Sequence, residues 1–189
     1  MDQRFYDAVL SSPVIAAVKD EEGLRDCLGL EHIQIVFFLF GDLCSISGLV
    51  ARVKDAGKIA MVHTDRISGL SQNKEIAVDF LKESTRLDGI ISTRSNFIRR
   101  ARELELFTVL RLFAIDSMAL SGIDKLEAAK PDFLEVLPGV MPKTIRRIVE
   151  TAHTPLLAGG LITDKEDVLS ALSAGAVAVS STNPGVWRM

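Results

Sequence analysis

The chain has 189 residues, of which 48% are hydrophobic and 25% are charged, and its formal net charge is −3. The length is enough for one domain with a large apolar core and too short for two ordinary domains. The slight acidic excess argues against a generally basic, nucleic-acid-binding surface and leaves room only for local basic patches.

The N-terminal residues and the cysteines indicate the expected compartment. Residues 1–7 are mixed and acidic, without the basic and apolar regions of a secretion signal. The longest apolar run, residues 35–40, is far shorter than the roughly 20 residues that cross a bilayer. Cys27 and Cys44 have no metal-binding spacing, and we interpret them as reduced thiols. We therefore expect a cytoplasmic protein that uses no membrane, metal or cofactor.

Eight short apolar runs alternate with stretches of helical periodicity. An amphipathic N-terminal helix within residues 1–12 precedes them, with Phe5, Ala8 and Val9 at helical spacing. The predicted strands are residues 13–19, 33–40, 58–65, 88–92, 107–113, 132–137, 155–162 and 176–180. The helices predicted between them are residues 20–28, 46–56, 73–84, 96–104, 116–129 and 142–152, with another after Thr163.

This alternation predicts a parallel sheet covered by helices, either a closed barrel or a doubly wound open sheet. The barrel is favoured because the strand count stops at eight and the first strand lacks the glycine fingerprint of a dinucleotide-binding sheet. We expect a single, compact (β/α)₈ or TIM-barrel domain with its barrel at residues 13–182 and a truncated last helix. Residues 183–189 allow only a short C-terminal turn, with Trp187 over the exposed seam. A second subunit could cover the same seam, so a homodimer is expected.

The predicted anion site lies where strands seven and eight end. Functional residues of this fold lie at the carboxyl ends of the strands, and the loops after these two strands commonly bind phosphate. Strand seven ends in Gly159 and Gly160, before a capping box at residues 163–166 that starts a helix. Close-approaching backbone amides and the positive end of a helix suit an anion, and Ser180 and Ser181 would complete the site. The glycine pair could instead serve only a tight turn.

Cations and hydrogen-bond acceptors mark the ends of the other strands. The cations, which could neutralise a phosphate, are Lys19, Arg94 and Arg111. The acceptors, which could bind hydroxyl groups, are His63, Asp65 and Glu135. Together these residues suggest a small polyol phosphate as the ligand.

Other interpretations of these residues stay open. Arg111 and Glu135 lie on neighbouring strands and could form a buried ion pair, with Arg111 also serving a ligand. His63 could be a satisfied core residue, and Lys19 could be a solvated strand end. No catalytic residue is assigned, because no Ser-His-Asp order, metal-ligand cluster or Schiff-base lysine deep in a strand can be recognised.

Two basic clusters lie on predicted helices, away from the polar residues at the strand ends. They comprise Arg99, Arg100 and Arg102 on one helix, and Lys143, Arg146 and Arg147 on another. Their simplest interpretation is two solvated helix faces. The alternative is a surface that contacts RNA phosphates, although no signature of a known RNA-binding module accompanies them.

Six sequence blocks resemble those of a known family. The blocks are FLFGD (38–42), VHTDRISGLS (62–71), DGIISTR (88–94), RLFAIDS (111–117), PDFLEVLPG (131–139) and AGGLI (158–162). In this order they look like the blocks of the glycerol-3-phosphate responsive antiterminators, the GlpP family of bacterial glycerol uptake operon regulators. The similarity runs from about residue 13 to residue 187, nearly the whole chain.

The resemblance implies a TIM barrel that binds glycerol 3-phosphate and acts on the leader of a messenger RNA, so that transcription reads through a terminator, without catalysis. It puts the family's motif residues at His63, Asp65, Arg94, Arg111, Glu135, Gly159 and Gly160. The sequence departs from the pattern at Arg66, where an apolar residue is expected, and in the hydroxyl residues at 180–182. The competing hypothesis is a TIM-barrel enzyme acting on a small phosphorylated polyol or sugar, since the fold hosts many such activities.

Overall fold

The structure is a closed barrel of eight parallel strands. It is a computed structural model that describes residues 3–71, 73–116 and 122–189. Neighbouring strands pair in chain order, and the last strand returns to the first through the register Val14–Val179 and Ala16–Ser181. The strands are β1 (Val14–Val18), β2 (Ile35–Phe38), β3 (Ile59–His63), β4 (Gly89–Ser92), β5 (Phe107–Phe113), β6 (Phe133–Leu137), β7 (Leu156–Gly159) and β8 (Ala178–Ser181). This confirms the predicted (β/α)₈ barrel and excludes the open sheet.

Helices connect the strands on the outside of the barrel. They are α1 (Arg4–Ser11), α2 (Glu21–Leu28), α3 (Ile46–Asp55), α4 (Ile76–Ser84), α5 (Ser95–Glu103), α6 (Ile123–Glu127), α7 (Pro142–Thr151), α8 (Lys165–Ser173) and α9 (Pro184–Trp187). A 3₁₀ turn, Thr64–Arg66, follows β3. Of the helix predicted at residues 116–129, residues 117–121 lie outside the described part of the chain. No helix in the described ranges is long and apolar enough to span a bilayer.

The barrel encloses its own apolar core, and α1 closes the end at which the strands begin. Phe5 is fully buried, with its ring centroid 4.9 Å from that of Phe107 and 5.1 Å from that of Phe133. Ala8 and Val9 share the same core with inward-facing strand residues such as Met61. Their helical spacing puts all three α1 side chains on one face, and this face of the predicted amphipathic helix covers the barrel end.

The short helix α9 closes the seam between the last and the first β/α units. Val186 and Trp187 are buried, and Trp187 packs beside Gly23 of α2. The Trp187 indole Nε1–H donates to the carbonyl oxygen of Ser181 at 2.7 Å, which satisfies the polar edge of the ring. Trp187 therefore covers the seam as predicted. The argument that an open seam calls for a second subunit loses its basis, because one turn of helix fills the gap.

Candidate functional site

A cavity of about 310 Å³ opens at the carboxyl ends of the strands. It is lined by Ala17, Leu39, Arg66, Arg111, Leu137, Gly160, Leu161, Ile162, Thr163, Ser180, Ser181, Thr182 and Asn183. Four predicted site residues, Gly160, Arg111, Ser180 and Ser181, are among them, whereas Lys19, His63, Asp65, Arg94, Glu135 and Gly159 are not. A larger open groove, of about 870 Å³, lies beside α1 at the opposite end and contains none of the predicted residues.

The loop after β7 contains two consecutive residues at positive φ and amides that have no acceptor in the described chain. Gly160 and Leu161 are consecutive residues in the left-handed region, with φ of 76° and 62°. Glycine adopts this conformation without strain, whereas leucine rarely does. In the described chain, no acceptor is bonded to the amides of Gly160, Leu161 and Thr182. Successive free amides of this kind form concave anion sites in proteins.

Side-chain bonds hold the loops after β7 and β8 together. Ser181 Oγ donates to the carbonyl oxygen of Ile162 at 2.7 Å, and Asn183 Nδ2 donates to that of Thr163 at 2.8 Å. Asn183 Oδ1 also accepts from the amide of Gly185, which caps α9. The two loops are therefore fixed relative to each other by the protein itself. Ser181 stabilises the arrangement of the two loops, because its hydroxyl already donates to the Ile162 carbonyl oxygen.

The cap of α8 lies one residue later than predicted. Asp164, not Thr163, is the N-cap residue, and its carboxylate accepts from the amide of Asp167 at 2.9 Å. Asp167 in turn accepts from both the amide and the hydroxyl of Thr163, each at 2.9 Å. The prediction of a Thr163–Glu166 capping box is therefore wrong. An ionised Asp is an equally good cap and interacts more favourably with the helix dipole than a hydroxyl.

A buried ion pair lies directly behind the cavity. Glu135 is fully buried and accepts from Arg111 Nε at 2.7 Å through one carboxylate oxygen and from Ser180 Oγ at 2.5 Å through the other. A Cβ at Gly159 would lie 2.5 Å from both Glu135 Oε1 and Ser180 Oγ, so only glycine leaves room for this cluster. The ion-pair interpretation of Arg111 and Glu135 is confirmed. Arg111 also lines the cavity, so the same residue pairs with the buried Glu135 carboxylate and borders the cavity.

His63, Asp65 and Arg94 form a second cluster at the ends of β3 and β4. The Asp65 carboxylate forms an ion pair with Arg94 Nη1 and accepts from the Thr93 amide at 3.0 Å. Arg94 also lies over the ring of Phe97, 5.7 Å from its centroid. Arg94 and Asp65 are therefore paired with each other, and neither is among the residues that line the cavity.

The imidazole of His63 is buried and uncharged. Burial is the main cause that lowers the pKa of His63 to about 3, and the positive charges of Arg111 and Arg66 lower it further. Its Nδ1 accepts from the amide of Asp65 at 3.2 Å, so the ring proton is on Nε2. The Asp65 carboxylate is 3.5 Å from Nδ1, too weak a contact to charge the ring against burial and two cations. His63 is therefore a neutral group that shapes the turn after β3.

Lys19 lies outside the main cavity, and an arginine that was not predicted as a site residue lines it instead. Lys19 is exposed and lines a separate cavity of about 250 Å³ beside Asp20, Asp26 and Trp187. Arg66, which was not predicted as a site residue, lines the main cavity. The alternation of strand residues would put it on the outer face, but the 3₁₀ turn after His63 breaks that alternation. In the sequence, only the departure from the family pattern at this position indicated that Arg66 is unusual.

The two basic clusters differ in how far their charges are already paired. On α5, Arg100 is held by Asp79 and Glu103, and Arg102 lies 3.7 Å from the buried carboxylate of Asp132. Arg99 is exposed. On α7, Lys143, Arg146 and Arg147 are exposed, and the described chain provides no ion-pair partner for them. Only the α7 cluster therefore offers several unpaired charges on one helix.

The fold and the cavity together define a (β/α)₈ barrel with a small polar pocket at the carboxyl ends of its strands. The chain belongs to the glycerol-3-phosphate responsive antiterminator family, which it matches over residues 14–187. It is 45% identical to the Escherichia coli K12 protein YgcP, itself uncharacterised, over 94% of this chain and 93% of YgcP.

Two solved structures share the fold of this chain and are also similar to it in sequence. A glycerol uptake operon antiterminator regulatory protein from Listeria monocytogenes is 33% identical, with a TM-score of 0.87 over 93% of this chain and 94% of that one. A glycerol uptake operon antiterminator-related protein from Thermotoga maritima is 30% identical, with a TM-score of 0.79 over 94% and 99% of the two chains. The family is therefore a regulatory one.

Proposed function

We propose that this protein binds glycerol 3-phosphate, or a closely related phosphate ester, in the barrel-mouth cavity and then acts on a messenger RNA leader to promote antitermination. The observation that supports the ligand site most directly is the Gly160–Leu161 turn, which lines the same cavity as Arg111 and whose amides have no acceptor among the described residues. Backbone amides and a guanidinium are the usual partners of a phosphate. The family membership supports glycerol 3-phosphate as the first ligand to test.

The phosphate site can be tested with a pair of variants at Leu161. This side chain lines the cavity and is 69% exposed, and both aspartate and asparagine tolerate its left-handed backbone. Leu161→Asp puts a negative charge beside the bound phosphate, whereas Leu161→Asn has the same shape without the charge. At about 6 Å and an effective dielectric constant of about 20, two unit charges interact by about 3 kcal/mol, which salt reduces further.

The measurement is isothermal titration calorimetry with glycerol 3-phosphate. We expect Leu161→Asp to weaken binding by about tenfold or more and Leu161→Asn to bind like the parent protein. Equal binding by the two variants would mean that the phosphate lies elsewhere. A melting temperature of the parent protein unmoved by millimolar glycerol 3-phosphate would reject the ligand itself.

The RNA contact is proposed for the α7 cluster of Lys143, Arg146 and Arg147, because these cations are exposed and unpaired in the described chain. Loss of two phosphate contacts reduces the slope of log affinity against log salt by about 1.4 for a single strand. We expect that change for Arg146→Ala/Arg147→Ala, measured by fluorescence anisotropy with the operon leader RNA at several salt concentrations. Lys82→Ala, a charge loss on the exposed face of α4, is the control. Equal effects of both changes would contradict an α7 contact.

A further inference from the structure

The cavity presents hydrogen-bond donors and positive charge to its ligand. Its lining side chains include two arginines and no carboxylate among the described residues. Arg111 is 93% buried and its Nε is bonded to Glu135, while in the described chain its two Nη groups have no acceptor. The loop after β7 adds the free amides of Gly160 and Leu161. Such a lining is complementary to a ligand that is rich in acceptors.

The two carboxylates predicted to bind a polyol are bonded to other residues of the protein and do not line the cavity. Both oxygens of Glu135 accept hydrogen bonds, one from Arg111 and one from Ser180. The Asp65 carboxylate is bonded to Arg94 and Thr93, and it is not among the residues that line the cavity. The hydroxyl groups of a polyol phosphate would therefore meet few carboxylate partners, and their donors would be poorly matched.

Arg66 is the group that the phosphate site does not explain. It follows β3, whereas the amide turn follows β7, four strands away around the closed barrel. The two therefore reach the same cavity from opposite walls. Within residues 3–71, 73–116 and 122–189, Arg66 has neither an ion pair nor a hydrogen bond. Glu135 balances the charge of Arg111, whereas no ion pair in the described part of the chain balances that of Arg66.

We propose that Arg66 binds a second anionic group of the ligand, so that the preferred effector is a small phosphate ester that also carries a carboxylate. This inference rests on the proposed phosphate site at the β7 and β8 loops. With the phosphate at that wall, the other end of a three- or four-carbon ligand points across the mouth toward β3. A guanidinium suits a carboxylate there, because it donates two parallel hydrogen bonds to it. Glycerol 3-phosphate lacks such a group and leaves Arg66 unpaired.

The experiment compares 3-phosphoglycerate with glycerol 3-phosphate by calorimetry on the full chain. We expect the parent protein to bind 3-phosphoglycerate about tenfold or more tightly, the effect of one charged hydrogen-bonded contact. Arg66→Leu should lose that preference and keep its affinity for glycerol 3-phosphate. Lys165→Leu removes an exposed cation at the first residue of α8, outside the cavity lining, and should keep the preference. Because Arg66 is exposed and has no partner in the described chain, the melting temperature of ligand-free Arg66→Leu should match that of the parent.

The outcomes separate this inference from the function on which it rests. If glycerol 3-phosphate binds as tightly as 3-phosphoglycerate, or if Arg66→Leu weakens both equally, the role of Arg66 is refuted and the phosphate site stands. If Lys165→Leu loses the preference as fully as Arg66→Leu, the selectivity is a general charge effect and the inference again fails. If neither ester binds the parent protein, the proposed phosphate site is refuted, and the inference with it.

Discussion

Replacing Arg111 by methionine tests the buried cluster behind the cavity. In the folded protein Glu135 is fully buried, and its two donors are Arg111 Nε at 2.7 Å and Ser180 Oγ at 2.5 Å. Arg111→Met leaves this carboxylate without a positive partner. Removing one member of a buried pair costs about 3–5 kcal/mol of unfolding free energy, because the remaining charge is desolvated without compensation. For a chain of this size that corresponds to a melting temperature about 6–20 °C lower.

A second substitution shows whether charge burial causes the loss. Arg111→Met/Glu135→Leu removes both charges and fills the space with apolar atoms, so most of the lost stability should return, to within about 1–2 kcal/mol of the parent. The remaining deficit includes the Ser180 hydroxyl, which loses its acceptor. Urea unfolding can be followed by the fluorescence of Trp187, which is buried in the folded protein.

Two results would refute this reasoning. A decrease of less than about 1 kcal/mol in the unfolding free energy of Arg111→Met would show that the pair is not desolvated. Alternatively, the double variant could lose the sum of the two single losses, in which case the pair does not couple. An independent readout is the pKa of His63 by NMR, which should rise in Arg111→Met because the Arg111 charge contributes to lowering it.

Three further outcomes follow from contacts elsewhere. Since the folded pKa of His63 is about 3 and its ordinary value is 6.5, its neutral form stabilises the fold fully above pH 6.5. As the pH falls from 6.5 toward 3, this contribution to the unfolding free energy decreases by about 1.4 kcal/mol per pH unit. The unfolding free energy of His63→Asn, measured with urea across the same range, should lack this part of the pH dependence. Trp187→Phe removes the donor to the buried Ser181 carbonyl and should cost about 1–3 kcal/mol in the same assay. Gly48→Ala, on the open face of α3, should raise the melting temperature through a gain of about 0.5–1 kcal/mol, whereas Gly89→Ala should lower it because its Cβ would lie 2.3 Å from a backbone carbonyl oxygen.

The barrel could be predicted from the sequence because each strand is a short apolar run with a helix-forming stretch before the next. Parallel strands bring all their carboxyl ends to one rim, so the rim residues could be identified before any contact was known. The register then made Arg111 and Glu135 direct neighbours on β5 and β6, which the ion-pair interpretation had anticipated. Periodicity therefore predicted both the rim and one of its internal bonds.

The direction of the rim side chains could not be predicted in the same way. Arg94 bonds to Asp65 instead of facing the cavity, and this depends on the path of two loops. Arg66 reaches the cavity because the chain turns after His63, which an apolar pattern does not encode. The cap of α8 at Asp164 was missed for a related reason: several residues near the turn can cap a helix, and loop geometry selects among them.

The closed end formed by α1 has a consequence for how the ligand and the RNA would affect each other. With Phe5 packed against Phe107 and Phe133, a bound ester cannot leave through the end where the strands begin. Its route to solvent is the mouth at the carboxyl ends. A macromolecule resting across that mouth would slow ligand escape and ligand uptake together, so the two binding events would be coupled in time even if their affinities were independent. Dissociation rates measured with and without RNA would therefore report where the RNA lies.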